Sequence, residues 1–278
     1  MKAAAIVATA SMTLAGIVVN ADHTSRQLII GGDIIPMGSK PYVVGVRASL
    51  ESSNHCVCAL ISPLHCLSSS ICAGVQGELG PYFAAVNSHF VNHTDDGERI
   101  KIVKVETHPK LDLNSDEAAY DLSIFTLEVP SKTKPVSLPL QDDSQIKRGM
   151  PAKIMGWGSY AEKTNEDDVE YSDELRGVDL EIWSWQECKD LFANYRVDVT
   201  DLCAGGIPGK GFGIGDCGAP LIIENDEGDS DDVLIGITSG WGDGGHAGVP
   251  AITSRVSASL AWINSVINEG KNSPNQTQ

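Results

Sequence analysis

The sequence predicts an all-β fold, on three observations. Short apolar runs such as Tyr42 to Val46, Ile100 to Val105 and Val233 to Thr238 are punctuated by Gly, Pro and Asp clusters, the pattern of strands between turns. Long helical periodicity is nearly absent. With the ends discounted, about 250 residues remain, which suits one large β unit or two small cores joined face to face.

The N-terminal end reads as an export signal. Lys2 is followed by an apolar stretch from Ala3 to Val19, and Val19 and Ala21 form a small-residue cleavage signature just before Asp22. Residues 1–21 are therefore expected to be a signal peptide, which makes the mature protein secreted and extracellular. Thr9, Ser11 and Thr13 interrupt the stretch, and no other segment approaches the length that spans a bilayer, so a membrane anchor is not expected.

With 37 acidic against 20 basic residues, the formal net charge of −17 argues against nucleic acid or an anionic membrane surface as a partner, because both repel an acidic protein. A basic protein partner is favoured, unless the charge serves only solubility.

Seven cysteines in an exported chain should be mostly paired, and the odd count leaves one thiol free or available to a second chain, as in a disulfide-linked dimer. His55-Cys56-Val57-Cys58 and His65-Cys66 also contain zinc-ligand residue types. An oxidising compartment favours disulfides over thiolate ligands, so no metal and no cofactor are expected. Two sequons, Asn92-His93-Thr94 and Asn275-Gln276-Thr277, are candidate glycosylation sites; Asn92 lies beside the turn-forming Asp95-Asp96-Gly97, and Asn275 lies in the polar tail.

Seven ordered motifs carry a family resemblance. They are Ile29-Ile30-Gly31-Gly32; Cys56 with Leu60-Ile61-Ser62-Pro63 and Cys72; Tyr120-Asp121-Leu122-Ser123-Ile124; Gly156-Trp157-Gly158; Leu202-Cys203-Ala204-Gly205-Gly206; Gly215-Asp216-Cys217-Gly218-Ala219-Pro220-Leu221; and Trp241-Gly242 before Ser254-Arg255-Val256 and Trp262-Ile263. In order and spacing they resemble the chymotrypsin-like serine proteases. The resemblance implies two six-stranded antiparallel β-barrels over residues 29–268, with the active site in the cleft between them. A short segment, 22–28, precedes this unit and a polar, disordered tail, 269–278, follows it. A short C-terminal helix would carry Leu260, Ile263 and Ile267 on one face. Matching positions further imply that Cys56 joins Cys72 and Cys188 joins Cys203, each closing a loop of about 15 residues and contributing on the order of 3 kcal/mol on loop-entropy grounds. The pair that braces the specificity pocket in the family falls on Gly213 and Gly245. Cys58 and Cys66 flank the short hairpin through Ser62-Pro63-Leu64-His65; if they pair across it, Cys217 is left free.

Acyl transfer by a serine needs a base within hydrogen-bond reach, an acid that orients the base, and donors for the oxyanion. By resemblance, the histidine position is Ile71, which can neither accept nor donate a proton, and the serine position is Cys217. Asp121 alone remains of the triad, with nothing to orient, and is expected to be a hydrogen-bonded structural residue. A cysteine hydrolase is the alternative reading. Without an imidazole, however, Cys217 has little thiolate and no protonated group to expel an amine. Loss of the base alone costs ~10⁶ in turnover in enzymes of this logic.

No other histidine substitutes readily. His108, in Thr107-His108-Pro109, matches a non-catalytic histidine of the family; His65 belongs to a hairpin tip; His55, His89, His93 and His246 fall in polar or Gly-rich loops. Gly211 stands where trypsin-like members carry an acidic pocket floor, and Ala251 and Thr253 replace a pocket glycine and tyrosine. Arg26 is separated from Ile29 by Gln27 and Leu28, so trypsin-like processing would leave Gln27 first.

Within this family the chain is most similar to the glucanase inhibitor proteins secreted by plant-pathogenic oomycetes. The likeness is carried by Asp142-Asp143-Ser144-Gln145-Ile146-Lys147-Arg148-Gly149-Met150, Asp232-Val233-Leu234-Ile235-Gly236, Tyr120-Asp121 and Pro130-Ser131-Lys132. It implies an inactive protease homologue that binds a host endo-β-1,3-glucanase and acts in virulence. From their charge alone, the acidic stretches Asn165 to Glu174 and Glu224 to Asp232 are candidate contact loops, with plain solvated surface as the competing reading. The competing readings are a thiol-dependent hydrolase using Cys217 and an exported binding protein with another target.

Overall fold

The computed structural model describes residues 29–74, 82–111, 119–158, 171–193, 197–225, 231–239 and 248–269. The expected signal peptide, the 22–28 segment, Trp241, Gly242, Gly245, His246 and Asn275 lie outside the described residues.

Six strands form a closed barrel: β2 (Val43–Arg47), β3 (Cys56–Ser62), β4 (His65–Ser68), β5 (Phe83–Val86), β6 (Glu98–Thr107) and β7 (Ser123–Leu127), in the order β2-β3-β4-β7-β6-β5. Closure comes from β5 returning to β2, in register from Val44 opposite Val86 to Arg47 opposite Phe83. In β6 the sequence alternates, so Ile100 and Ile102 point inward while Lys101 and Val103 face solvent.

The second sheet runs β1-β9-β8-β11-β12-β13-β10, from β1 (Asp33–Ile34), β8 (Pro151–Gly156), β9 (Arg176–Glu181), β10 (Asp201–Gly205), β11 (Pro220–Ile223), β12 (Val233–Thr238) and β13 (Pro250–Arg255). Just beyond β9, Ile182 bridges Ala204 of β10, and the Trp183 N–H donates to the Cys203 carbonyl at 2.9 Å. The six strands β8 to β13 therefore curl back on themselves, and the two-residue β1 is an addition that pairs with β9. The expected double barrel is present, with its second sheet one short strand larger than six.

Two α-helices complete the fold among the described residues. Helix α1 (Trp185–Leu191) opens on a capping box, in which the Ser184 side chain accepts from Glu187 N–H and the Glu187 carboxylate accepts from Ser184 N–H. Helix α2 (Leu260–Glu269) buries Leu260, Ile263 and Val266, with Ile267 only partly covered, so its inner face is rotated slightly from the expected one. It also includes Glu269, one residue beyond the expected end of the folded unit.

Three disulfides join Cys56 to Cys72, Cys58 to Cys66 and Cys188 to Cys203, and Cys217 is a free thiol. The β3–β4 register sets Leu60 opposite Cys66, so Cys58 meets Cys66 diagonally rather than directly across the hairpin. Cys188 and Cys203 tie α1 to β10, where they form a small satellite core with Val197.

A buried cation organises the connection between β5 and β6. Arg47 is fully buried at the end of β2. Its Nε donates to Asn54 Oδ1 at 2.7 Å, its Nη1 to the His93 carbonyl at 2.7 Å, and its Nη2 to the Val91 and Phe90 carbonyls at 3.2 and 3.3 Å. Burial and the neighbouring Arg99 charge lower the guanidinium pKa to about 10, while Asp96 opposes them. The Asp96 carboxylate accepts from the backbone N–H groups of His89 and Phe90 at 2.7 and 2.9 Å and pairs with Arg99 at 2.7 Å. Burial alone would raise its pKa, but these hydrogen bonds outweigh burial and hold it below the usual value. Arg47→Met removes the buried guanidinium and the four hydrogen bonds it donates to Asn54 Oδ1 and to the Phe90, Val91 and His93 carbonyls. We expect it to destabilise the protein by about 3 kcal/mol, read as a lowered denaturation midpoint, with faster amide exchange confined first to residues 88–96.

Candidate functional site

The seam between the two sheets is built on a close approach of main chains. Val57 of β3 donates its N–H to the Cys217 carbonyl at 2.9 Å, which places the turn before β11 directly against the first barrel. At Gly218, with φ of 81°, an added Cβ would lie 2.1 Å from both the Val57 carbonyl oxygen and Ser68 Oγ, so only glycine fits.

Asp121, fully buried just before β7, lies where the first barrel meets β12 and β13. Its Oδ1 accepts from the Ser70 N–H at 2.7 Å and from the Ser70 hydroxyl, and its Oδ2 accepts from Ser239 Oγ at 2.7 Å. Its main-chain carbonyl accepts from Ser254 Oγ at 3.1 Å. Among the described residues its hydrogen-bond donors are serines and main chain, not an imidazole. Ile71 follows Ser70 in a short 3₁₀ turn, Ser70–Ala73, and stands 51% exposed. Ser70 and Ser239 were not singled out in the sequence; the one available signal was that Ser70 adjoins Ile71, which the family resemblance assigns to the histidine position.

Asp216 is also fully buried. Its Oδ1 accepts from Gly158 N–H at 2.8 Å and its Oδ2 from Gly213 N–H at 3.0 Å. Gly156 and Gly158 make room for it, since a Cβ at either would come within 2.3 Å of its carboxylate oxygens. Gly213, a position that the family resemblance assigns to the pocket disulfide, supplies a main-chain donor. Burial pushes the Asp216 pKa up to about 6 against the opposing effect of these two hydrogen bonds.

The Cys217 thiol is partly buried, and burial, reinforced by the Asp216 and Asp121 carboxylates, pushes its pKa up to about 11. That is the reverse of what a nucleophile needs. His108 is packed elsewhere: its ring stacks on Tyr120 at 4.5 Å and meets Trp262 edge-on at 4.7 Å, while burial and then Lys110 lower its pKa to about 4. His89 contacts Glu174 at 3.1 Å, His65 contacts Ser62 at 2.7 Å, and His55 and His93 lie against Tyr82 and Phe90.

Of the pocket positions, Gly211 donates its N–H to the Ile30 carbonyl at 3.0 Å, Ala251 pairs with Ala204 in the sheet, and Thr253 turns its hydroxyl to the Leu202 carbonyl at 2.8 Å. The Tyr171 ring sits over Gly215, whose Cβ would meet it at 2.7 Å, and Tyr171 and Ile214, in the turn beside Gly215, are each about half exposed. No group of three or more His, Cys, Asp or Glu capable of holding a metal occurs among the described residues, and Cys56, Cys58 and Cys66 are committed to disulfides. No helix among the described residues is long and apolar enough to cross a membrane.

A closed barrel and a second curled sheet, with Asp121 and Cys217 brought to their seam, define the architecture of a trypsin-type protein. The trypsin family profile matches residues 29–263, and the chain belongs to that family. Within it, the chain is 49% identical over 248 residues to glucanase inhibitor protein 2 of Phytophthora infestans, covering 89% of this chain and 92% of that one. It is 44% identical to glucanase inhibitor protein 2 of Phytophthora sojae, covering 96% and 89%, and 42% identical to glucanase inhibitor protein 3 of Phytophthora infestans, covering 96% and 98%.

Two expectations follow from the buried acids and the thiol. Alkylation of Cys217 by iodoacetamide at neutral pH is expected to run at least about 100-fold slower than that of an ordinary free cysteine, rising roughly tenfold per pH unit towards pH 11, as followed by mass spectrometry. For Asp216 the folded pKa of about 6 lies above the unfolded value, so the folded state holds the extra proton. Its contribution is therefore most favourable below about pH 4 and is lost as pH rises through 6, by roughly 3 kcal/mol. The stability difference between the natural protein and Asp216→Asn, measured by urea unfolding from pH 4 to 7, should fall by that amount.

Proposed function

We propose that the mature protein is exported without peptidase activity and binds and inhibits a host endo-β-1,3-glucanase, suppressing the release of wall-derived elicitors. The observation that carries this reading is the 42–49% identity to proteins named glucanase inhibitors over nearly nine-tenths or more of the chain. The site supports it from the chemical side. Position 71 offers no base, the Asp121 carboxylate is engaged by serines, and the only free thiol is held protonated. Attack on a peptide carbonyl would leave the leaving amine without a proton donor. Binding needs none of these groups; a rigid scaffold that presents loops is sufficient. The net charge of −17 suits a basic glucanase surface, where complementary fields raise the encounter rate.

The test is titration of the purified mature protein into an endo-β-1,3-glucanase assay with a peptide-hydrolysis control on the same sample. Dose-dependent loss of glucanase activity that weakens with added salt, and no peptide cleavage, are expected. Failure to inhibit any host glucanase would remove the inhibitor assignment, and peptide cleavage abolished by Cys217→Ala would establish the thiol hydrolase instead.

A further inference from the structure

The β5–β6 connection holds an exposed segment, residues 92–95, over a buried centre at Arg47. Among the described residues, the main-chain hydrogen bonds and bridge that tie this segment to residues 173–175, just before β9, are made by residues before position 92: Leu175 N–H donates to the His89 carbonyl at 2.8 Å, Phe90 bridges Glu174, and Val91 N–H donates to the Asp173 carbonyl at 2.9 Å. Val91 is buried, and its carbonyl accepts from both Arg47 and the Asn54 N–H. The chain is held again at Asp96, whose carboxylate reaches back to Ser88, His89 and Phe90. Between these two fixed points, Asn92, His93, Thr94 and Asp95 are all exposed. The main chain there is nonetheless fixed, because the His93 carbonyl accepts from Arg47 at 2.7 Å and from Arg99 at 2.5 Å.

Asn92-His93-Thr94 is a complete acceptor sequence for N-linked glycosylation, with a residue other than proline in the middle. Chance sequons are common, but many fail because the asparagine ends up buried or in a strand. Here the side chains of Asn92 and Thr94 both face solvent, while the groups that hold the loop are main-chain carbonyls and the Asp96 carboxylate. A glycan at Asn92 therefore displaces no contact that the fold uses.

We propose that Asn92 carries an N-linked glycan, placed beside the seam where residues 89–91 pair with 173–175. The acceptor is the Asn92 amide nitrogen, which forms a bond to the anomeric carbon of an oligosaccharide carried on a lipid diphosphate. The sugar–phosphate bond breaks, the lipid diphosphate leaves with the electron pair, and one amide proton is lost to solvent. Asn92 remains an amide, and no oxidant or reductant is involved.

This inference rests on the export part of the proposed function, since the oligosaccharide donor is met only in the secretory pathway. The experiment separates the two. The full chain, its Asn92→Gln, Thr94→Ala and Asn275→Gln variants are expressed in a eukaryotic secretory host, and medium and cell lysate are each treated with peptide N-glycosidase. A mass shift on treatment is expected for the natural chain and for Asn275→Gln, lost in Asn92→Gln and Thr94→Ala, with aspartate at position 92 in the treated peptide. Chain recovered from the medium with unmodified Asn92 overturns the glycan while leaving export intact. Chain confined to the lysate without a glycan overturns both. A circular dichroism spectrum and melting curve of Asn92→Gln like those of the enzymatically deglycosylated protein exclude misfolding as the cause of any lost shift.

Discussion

The structure turns on the close approach of two β sheets at Val57 and Cys217. Closed or nearly closed barrels have few free backbone groups left to pair with each other, so a joint between them needs specific side chains and small residues. One main-chain hydrogen bond from Val57 to Cys217 and the missing side chain of Gly218 bring the two within contact distance. Around that point the polar residues reach across: Ser239 and Ser254 from the second sheet both bond to Asp121 of the first. A second crossing lies at Lys40, whose buried ammonium meets Asp232 at 2.7 Å and Glu224 at 2.9 Å, while Tyr42 donates to the same Asp232 oxygen at 2.6 Å. Charges taken out of water are tolerated only when answered in this way.

That requirement governs the two fully buried aspartates at the seam, Asp121 and Asp216. A buried carboxylate with a missing partner is costly, and removal of an imidazole beside Asp121 would create that situation unless other donors took its place. Ser70 supplies both its hydroxyl and its main-chain N–H, and Ser239 supplies the other oxygen's donor. Asp216 is less fully compensated, with one main-chain donor on each oxygen and complete burial, which is why its pKa rises to about 6. The same low-dielectric surroundings act on the thiol between them. Burial and two acidic neighbours work in one direction, raising the Cys217 pKa and disfavouring its thiolate.

Much of the fold was legible because strand and turn signals are local. Val233–Thr238 is a strand with the bounds its sequence suggests, and Tyr42 to Val46 and Ile100 to Val105 fall within one residue of, or inside, β2 and β6. The ordered motifs then supplied the topology, which local patterning cannot. Helix α1 was missed because seven residues give fewer than two full repeats of helical periodicity, although Ser184 and Glu187 have capping-box spacing. Of the site, Ile71 and Cys217 were singled out from the sequence only through the positions that the family resemblance assigns them. Its compensating contacts were not. Ser70, Ser239 and Gly213 reach Asp121 and Asp216 across 51, 118 and 3 residues, and nothing in a serine or a glycine announces which carboxylate it will serve.

Arg47 shows the same limit in a different setting. In sequence it is one basic residue at the end of an apolar run, indistinguishable from a charged strand terminus facing water. In the fold it is fully buried, and four hydrogen bonds connect it to residues from 7 to 46 positions away. Gly45, two residues earlier, is part of the same arrangement, because a Cβ there would collide with the Asn54 amide that accepts from Arg47. A loop built around a fixed internal cation gains order without using its outward side chains. That leaves residues 92–95 exposed on a rigid main chain, so the surface beside the seam can change in sequence or carry a substituent while the joint beneath it keeps its geometry.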